Sequence, residues 1–455
     1  MKKNDGGINM TEGAILPLLI RFTVPIMLSG LLQQLYGAMD SAVVGQFSGP
    51  DSLGAVGSTA SLTNLIIAVF LGMSTGAGII VAQLIGADDA KGVKKTVHTS
   101  IALAVVSGIF LTVAGGLLSG RLLELMDTPP EVLPLAKTYM QIYFLGSVPS
   151  LIYNFGSGIL RAAGDSRRPL EYLCAAAAVN IVFNLIFVIV FKLGVTGVAI
   201  STIMSQTVSA FLVIKRLIKT DESIRLYPKE IRFDKKTLMR VIRVGLPAGI
   251  QGSVFSFSNT VIQSTVNKFG NAAVAGCAAS SGIENFVYFI MNSIALAATT
   301  YIGQNFGAAK YDRCSKGFRI SVTAVTTVGI ALGICLGLFK TPLLRIFTGD
   351  ADALSYGAER LTVFAFTYFL CGVMDVICGT IRGYGDSLSP MLIALIGVTG
   401  SRMLWIFTVL PHRRTVLTLY LAFPVSWIIT IAALCIRYAL LRKTLKSKMQ
   451  NTARE

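Results

Sequence analysis

PIMLSGLLQQLYGAMDSAVVGQ, residues 25–46, is long and apolar enough to cross a bilayer as a helix. It nevertheless carries Gln33, Gln34, Tyr36 and, close to mid-depth, the full carboxylate of Asp40. At helical spacing Gln33, Tyr36 and Asp40 share one face, with Gly30 and Gly37 beside them. An ionisable group at such depth costs about 2.5–3.5 kcal/mol on insertion scales, so it usually faces a cavity and has a task. The plainer alternative is an Asp that only hydrogen-bonds a neighbouring helix. This stretch predicts a polytopic membrane protein with Asp40 as the residue to which an ion couples.

Composition points the same way. Hydrophobic residues make up 53% of the 455 and charged ones 14%, well below the quarter usual in soluble domains. A net charge of +17 would suit a nucleic-acid binder, but the Lys and Arg collect in short segments between apolar runs and read as topology signals. Of the seven Cys, six lie in apolar stretches and only Cys314 in a polar loop, and no CxxC occurs, so no disulfide framework is expected. The two His, His98 and His412, stand far apart near span ends, which argues against a metal centre. The first apolar span lacks the short core and small-residue cleavage site of a signal peptide, and is expected to stay in the membrane.

Twelve apolar runs can be placed. They cover about 16–46, 53–84, 97–119, 132–160, 169–192 and 195–218, then 238–267, 272–304, 318–340, 353–381, 389–411 and 415–440. Between the sets lies KTDESIRLYPKEIRFDKKT, a basic linker at 219–237 too short to be a domain. The expected organisation is therefore a six-helix bundle in 1–218, the linker, and a second six-helix bundle with a basic tail in 238–455. If alternate loops share a side, the side of the N-terminus holds 29 of the 40 Lys and Arg, which predicts a cell-membrane protein with both termini cytoplasmic. The loop PHRRT, 411–415, breaks this pattern.

The halves repeat. GILRAAGDSRRP (158–169) matches GTIRGYGDSLSP (379–390) at a displacement of 221, and VAQLIGADDAKGVKK (81–95) matches IGQNFGAAKYDRCSK (302–316) at the same displacement. Pro25/Pro247, Phe47/Phe269 and Gly54/Gly276 agree at 222. Each unit has an even number of spans, so the repeats run in the same direction, the arrangement of carriers that rock two halves around a site. Pro17, Pro25 and Pro247 fall in the first helix of each half and are expected to bend it.

These signatures, with QQLYGAMDSAVVGQF in the first helix and the Gln–Gly–Ala turns after the second and eighth, resemble the multidrug and toxic compound extrusion (MATE) family over essentially the whole chain. The resemblance implies an all-α fold of twelve helices in two bundles forming a V. It also implies export of amphipathic, often cationic compounds in exchange for protons or sodium ions. Asp40 matches the first-helix acid of the DinF-like branch, which also uses an Asn and an Asp four residues apart in the fifth helix and a Thr in the sixth. Here those positions are Asn180, Asn184 and Thr202, so any Na+ at this site meets one carboxylate fewer and is held less tightly. The NorM-like branch has a Glu in the seventh helix, and FSFSNT (255–260) has none.

Gln33, Gln34, Tyr36, Asn154, Glu284 and Asp375 are the expected substrate-cavity residues. Asp375 and Asn154 occupy equivalent repeat positions. Arg402 could instead pair with Asp375 or Glu284 and withdraw them from any ion pathway. The fourth-span aromatics Tyr139, Tyr143, Phe144, Tyr153 and Phe155 either line a cleft or simply pack. In the GDS turns, Asp165 and Asp386 are expected to cap the helices that follow. No GxxxxGK[ST] occurs, so ATP is not expected as a power source, nor is any cofactor beyond the coupling ion. The expected partners are small amphipathic molecules and lipid, the expected form a monomer. The rivals are a flippase for a lipid-linked precursor, a channel, and a polytopic membrane enzyme, for which no clustered nucleophile, base or metal set is visible.

Overall fold

The computed structural model describes residues 7–126 and 128–452, and among them there is no strand. The first repeat comprises α1 (Ile15–Phe47), α2 (Pro50–Gly86), α3 (Ala90–Glu124), α4 (Leu133–Leu145), α5 (Ser147–Ala162), α6 (Arg167–Leu185) and α7 (Gly194–Lys219). The second comprises α8 (Lys235–Asn267), α9 (Asn271–Gly307), α10 (Tyr311–Arg345) and α11 (Ala351–Gly383). It continues with α12 (Leu388–Ala394), α13 (Ser401–Thr408), α14 (Val416–Tyr420) and α15 (Ala422–Thr452). A π turn, Ile186–Val190, continues α6, and another, Leu395–Gly400, joins α12 to α13. Ten candidate spans among the described residues are long and apolar enough to cross a membrane. The other two expected crossings are helical as well. The fourth is split into α4 and α5, and the seventh, α8, is diluted by Arg240, Arg243 and a run of Ser, Asn and Thr. The chain is an all-α polytopic membrane protein.

Local chemistry explains the breaks. A continuous fourth helix would place the Pro149 ring against the Leu145 carbonyl and leave that carbonyl without its donor. Gly146 therefore ends α4, and Pro149 falls in the first turn of α5, where no donor is needed. The same reasoning corrects the expectation for Pro17. It is the third residue of α1, in a first turn that needs no donor, whereas Pro25 and Pro247 lie inside their helices. Cys314 is also corrected, since it sits on α10, fully buried, rather than in a polar loop.

The chain packs as two compact units. One contains residues up to Ser253 together with Gly303–Lys310; the other contains Val254–Ile302 and residues from Tyr311 on. The division cuts α8 at Ser253 rather than at 219–237, and close helix approach within the first unit gives the reason. Gly72 and Gly76 of α2 lie so near Gly245 and Gly249 of α8 that a Cβ on either would overlap backbone. Gly86 and Gly307 do the same reciprocally, each against the Gln (Gln304 or Gln83) of the other repeat.

The segment 219–237 is docked on α3. The Tyr227 N–H donates to His98 Nε2 at 3.0 Å and its ring stacks on the imidazole. Lys94 pairs with Glu230 at 2.8 Å, and Thr99 Oγ1 accepts from the Asp234 N–H. The Lys94 hydrogen bond holds the Glu230 carboxyl below its ordinary range. The N-terminal segment is stitched down too. Ile8 N–H donates to Gly164 O, Met10 N–H to Gln304 Oε1, and Lys310 Nζ to Thr11 O. As expected, the GDS turns use glycines at positive φ (+87° at Gly164, +93° at Gly385) and Asp caps. Asp165 and Asp386 each accept from the backbone N–H three residues on.

Candidate functional site

Three helices of the first unit bring the expected coupling residues together. Asp40 comes from α1, Asn180 and Asn184 from one face of α6, and Thr202 from α7. All four are buried, Asp40 at 7% exposure and the two asparagines at 1% each. Asn184 Nδ2 donates to Asp40 Oδ1 at 2.7 Å, while Asn180 and Thr202 lie beside the same carboxylate. No basic side chain neutralises Asp40 among the described residues. The Oδ1 atoms of Asn180 and Asn184 are buried and accept no hydrogen bond there. Thr202 Oγ1 donates to Val198 O and keeps its lone pairs. Two amides and a hydroxyl thus stand around a carboxylate, a set suited to a proton or, with the Asn184 amide turned so that Oδ1 faces Asp40, to an alkali cation.

Asp40 is not at the middle of its helix. α1 matches the expected run 16–46 to within a residue at each end, and in it Asp40 stands only seven residues, about 10 Å, from the end at Phe47.

A polar relay leads away from the carboxylate. Asn180 Nδ2 donates to the Tyr36 hydroxyl at 3.1 Å, and that hydroxyl shares a 2.9 Å hydrogen bond with Ser205 Oγ. Tyr36 and Ser205 also line a cavity of about 170 Å³ with Gln33, Tyr153, Asn154 and Gln206. The structure thus joins Gln33, Tyr36 and Asn154 as expected, and Gln34 does not line this cavity. Ser205 and Gln206 were missed in the sequence, although Thr202, Ser205 and Ser209 form a polar stripe at helical spacing. Of the fourth-span aromatics, Tyr153 reaches the cavity, whereas Phe144 and Phe155 are fully buried in the core.

The remaining candidates, Glu284 and Asp375, belong to the second unit and do not line this cavity. Glu284 is held by Arg360, a residue the sequence reading did not single out, through two hydrogen bonds of 2.8 Å. Arg360 also lies over the rings of Phe364 and Tyr420. The expected partnership of Arg402 with Glu284 or Asp375 is therefore not made. Arg402 Nε donates to Ser426 Oγ at 3.1 Å and Nη1 to Asn259 Oδ1 at 3.3 Å, with its guanidinium 4.2 Å from the Phe423 ring centre. Asp375 is half-buried on α11 beside Tyr288 and Asn292 of α9.

A duplicated helical membrane protein with a buried carboxylate beside a cavity of mixed polar and apolar lining fits a transporter. The MatE family model matches residues 25–186 and 247–408, one match per repeat at a displacement of 222, and the chain belongs to this family of multidrug efflux transporters. It is 31% identical over 388 residues to "Probable multidrug resistance protein YpnP" of Bacillus subtilis (strain 168), covering 85% of this chain and 87% of that protein. It is 27% identical over 423 residues to "Probable multidrug resistance protein YoeA" of the same organism, covering 90% of each. Among solved structures it superposes on an outward-facing multidrug resistance MATE family transporter of the MOP superfamily. The TM-score is 0.91, at 21% identity over 98% of this chain and 100% of that one.

Proposed function

We propose that this protein exports amphipathic, mainly cationic compounds across the cell membrane by antiport, with Asp40 as the group that takes up and releases the coupling ion. The observation that carries this reading is a buried carboxylate with no basic partner among the described residues, tied through Asn180, Tyr36 and Ser205 to the wall of a cavity that is part polar and part apolar. In the ionised state Asp40 offers a negative charge near the cavity and favours a cationic substrate. When a proton arrives from the acidic side, that charge disappears, the relay through Tyr36 rearranges, and the substrate leaves. One charge moving across 100 mV supplies about 2.3 kcal/mol, enough for roughly a fiftyfold gradient.

Both termini cytoplasmic, a monomer, and no use of ATP complete the proposal. Alternating access between the two repeats delivers the compound to the other side.

Sodium as a second driving ion would take oxygens from Asp40 and Thr202 and the unpartnered Oδ1 atoms of Asn180 and Asn184, once the Asn184 amide turns its oxygen instead of its Nδ2 to the carboxylate. The test is ethidium efflux from proteoliposomes containing the purified protein, with pH and sodium gradients imposed separately. Export driven by an inward proton gradient supports the proposal, and export driven by sodium alone favours the second reading. Export indifferent to both gradients contradicts each.

A further inference from the structure

The two repeats differ in charge at a junction of three helices that both contain. Pro169 and Pro390 stand 221 apart. The π turn Leu395–Gly400 then inserts one residue into the second repeat, which brings Asn180 opposite Arg402 at 222. The π turn Ile186–Val190 inserts one residue into the first, which brings Ser205 opposite Ser426 at 221 again. At 222, the displacement of Pro25/Pro247 and Phe47/Phe269, Asp40 corresponds to Ile262 and Gly37 to Asn259.

In the first unit Asn180 reaches Tyr36 on α1, and that hydroxyl reaches Ser205 on α7. In the second, Arg402 reaches Asn259 on α8 and Ser426 on α15. The junction of three helices is the same, but the carboxylate is gone and a guanidinium stands in it.

Arg402 is 4% exposed, and no carboxylate pairs with it among the described residues. Two hydrogen bonds and one aromatic face meet a group that carries five N–H donors. Burying an unpaired cation costs several kcal/mol, and a planar guanidinium is matched best by a two-oxygen anion. The buried, unpartnered hydroxyls of Ser258, at the repeat position of Tyr36, and of Thr399, one turn before Arg402, add polarity that nothing in the fold consumes. Phe423 stacks under the guanidinium, and Phe364, Tyr368 and Trp427 pack with it as an aromatic wall.

We propose that Arg402, with Asn259, Ser426 and the Phe423 ring, forms a subsite in the second unit for the carboxylate of an amphipathic aromatic compound. The inference rests on the export reading, so its test must separate the two.

Binding of norfloxacin, which carries a carboxylate, and of norfloxacin ethyl ester, which does not, is measured on the purified full-length protein. Arg402→Gln and Arg402→Lys are compared in the same way. The expected result is a preference of roughly tenfold for the acid over the ester, lost in Arg402→Gln and partly kept in Arg402→Lys. The acid–ester comparison in the unaltered protein stands even if a variant fails to fold. Equal binding of acid and ester overturns the subsite. So does chloride stabilising the protein through Arg402 while acid and ester bind alike, because the site then serves an inorganic anion. Ethidium efflux by the unaltered protein reports on the export reading independently.

Discussion

At the residue scale, Tyr36 is the side chain whose phenolic hydroxyl accepts from Asn180, pairs with Ser205 and stands in the cavity wall. Tyr36→Phe keeps the ring and removes two hydrogen bonds, each worth about 0.5–1.5 kcal/mol. The expected outcome is substrate affinity that changes less with pH than in the parent, measured by ethidium titration between pH 6 and 8. An unchanged pH profile would remove Tyr36 from the coupling route. Glu284 plays a different part. Its pairing with Arg360 is nine-tenths buried on both sides, so Glu284→Gln leaves a guanidinium without its partner and costs about 3–5 kcal/mol of stability. A marked fall in Tm is expected; lost efflux at an unchanged Tm would instead make Glu284 a transport group. Asp40 itself was legible because a charge in an apolar run has few explanations. Arg360 was not, because its partner lies 76 residues away and nothing local marks the pair.

At the element scale, the segment 219–237 is held to α3 by side-chain contacts rather than by secondary structure. His98 spends Nε2 on the Tyr227 N–H and Nδ1 on the Lys94 carbonyl. His98→Ala is expected to raise amide exchange at 224–234 by roughly two- to tenfold, the loss of one hydrogen bond, with α3 beyond residue 104 unaffected. Glu230, held low by Lys94, is ionised throughout the physiological range. Its contribution to docking is present above the ordinary Glu range of about 4.3 and is lost only as pH falls through its depressed value. Hydropathy placed the apolar centre of each span, because the apolar run is the signal a bilayer imposes. It missed the helix ends that extend past the run, as in α3, where Ala90–Thr96 and Gly120–Glu124 lie outside the expected 97–119. It also missed the split of the fourth span, although Gly146 and Pro149 were there to be read.

At the scale of the whole molecule, the duplication was visible in three short matches, and the fold follows it. What the matches could not show is that the tail of α9, Gly303–Lys310, packs with the first unit, clasped by Met10 and Thr11 and by the reciprocal glycines Gly86 and Gly307. Gly307→Val forces backbone apart at that contact. It is expected to lower Tm and to speed proteolysis near Lys310, whereas Gly349→Val, with open space around its Cα, should do neither. Similarity to multidrug transporters at 31% identity and below defines the family, while the proposed coupling rests on the buried carboxylate of Asp40. The most direct measurement is therefore efflux of ethidium from proteoliposomes by Asp40→Asn under an imposed inward proton gradient. The predicted result is a rate at least about tenfold below the parent, with ethidium binding still detectable. A rate equal to the parent's, driven by the same gradient, would contradict the account.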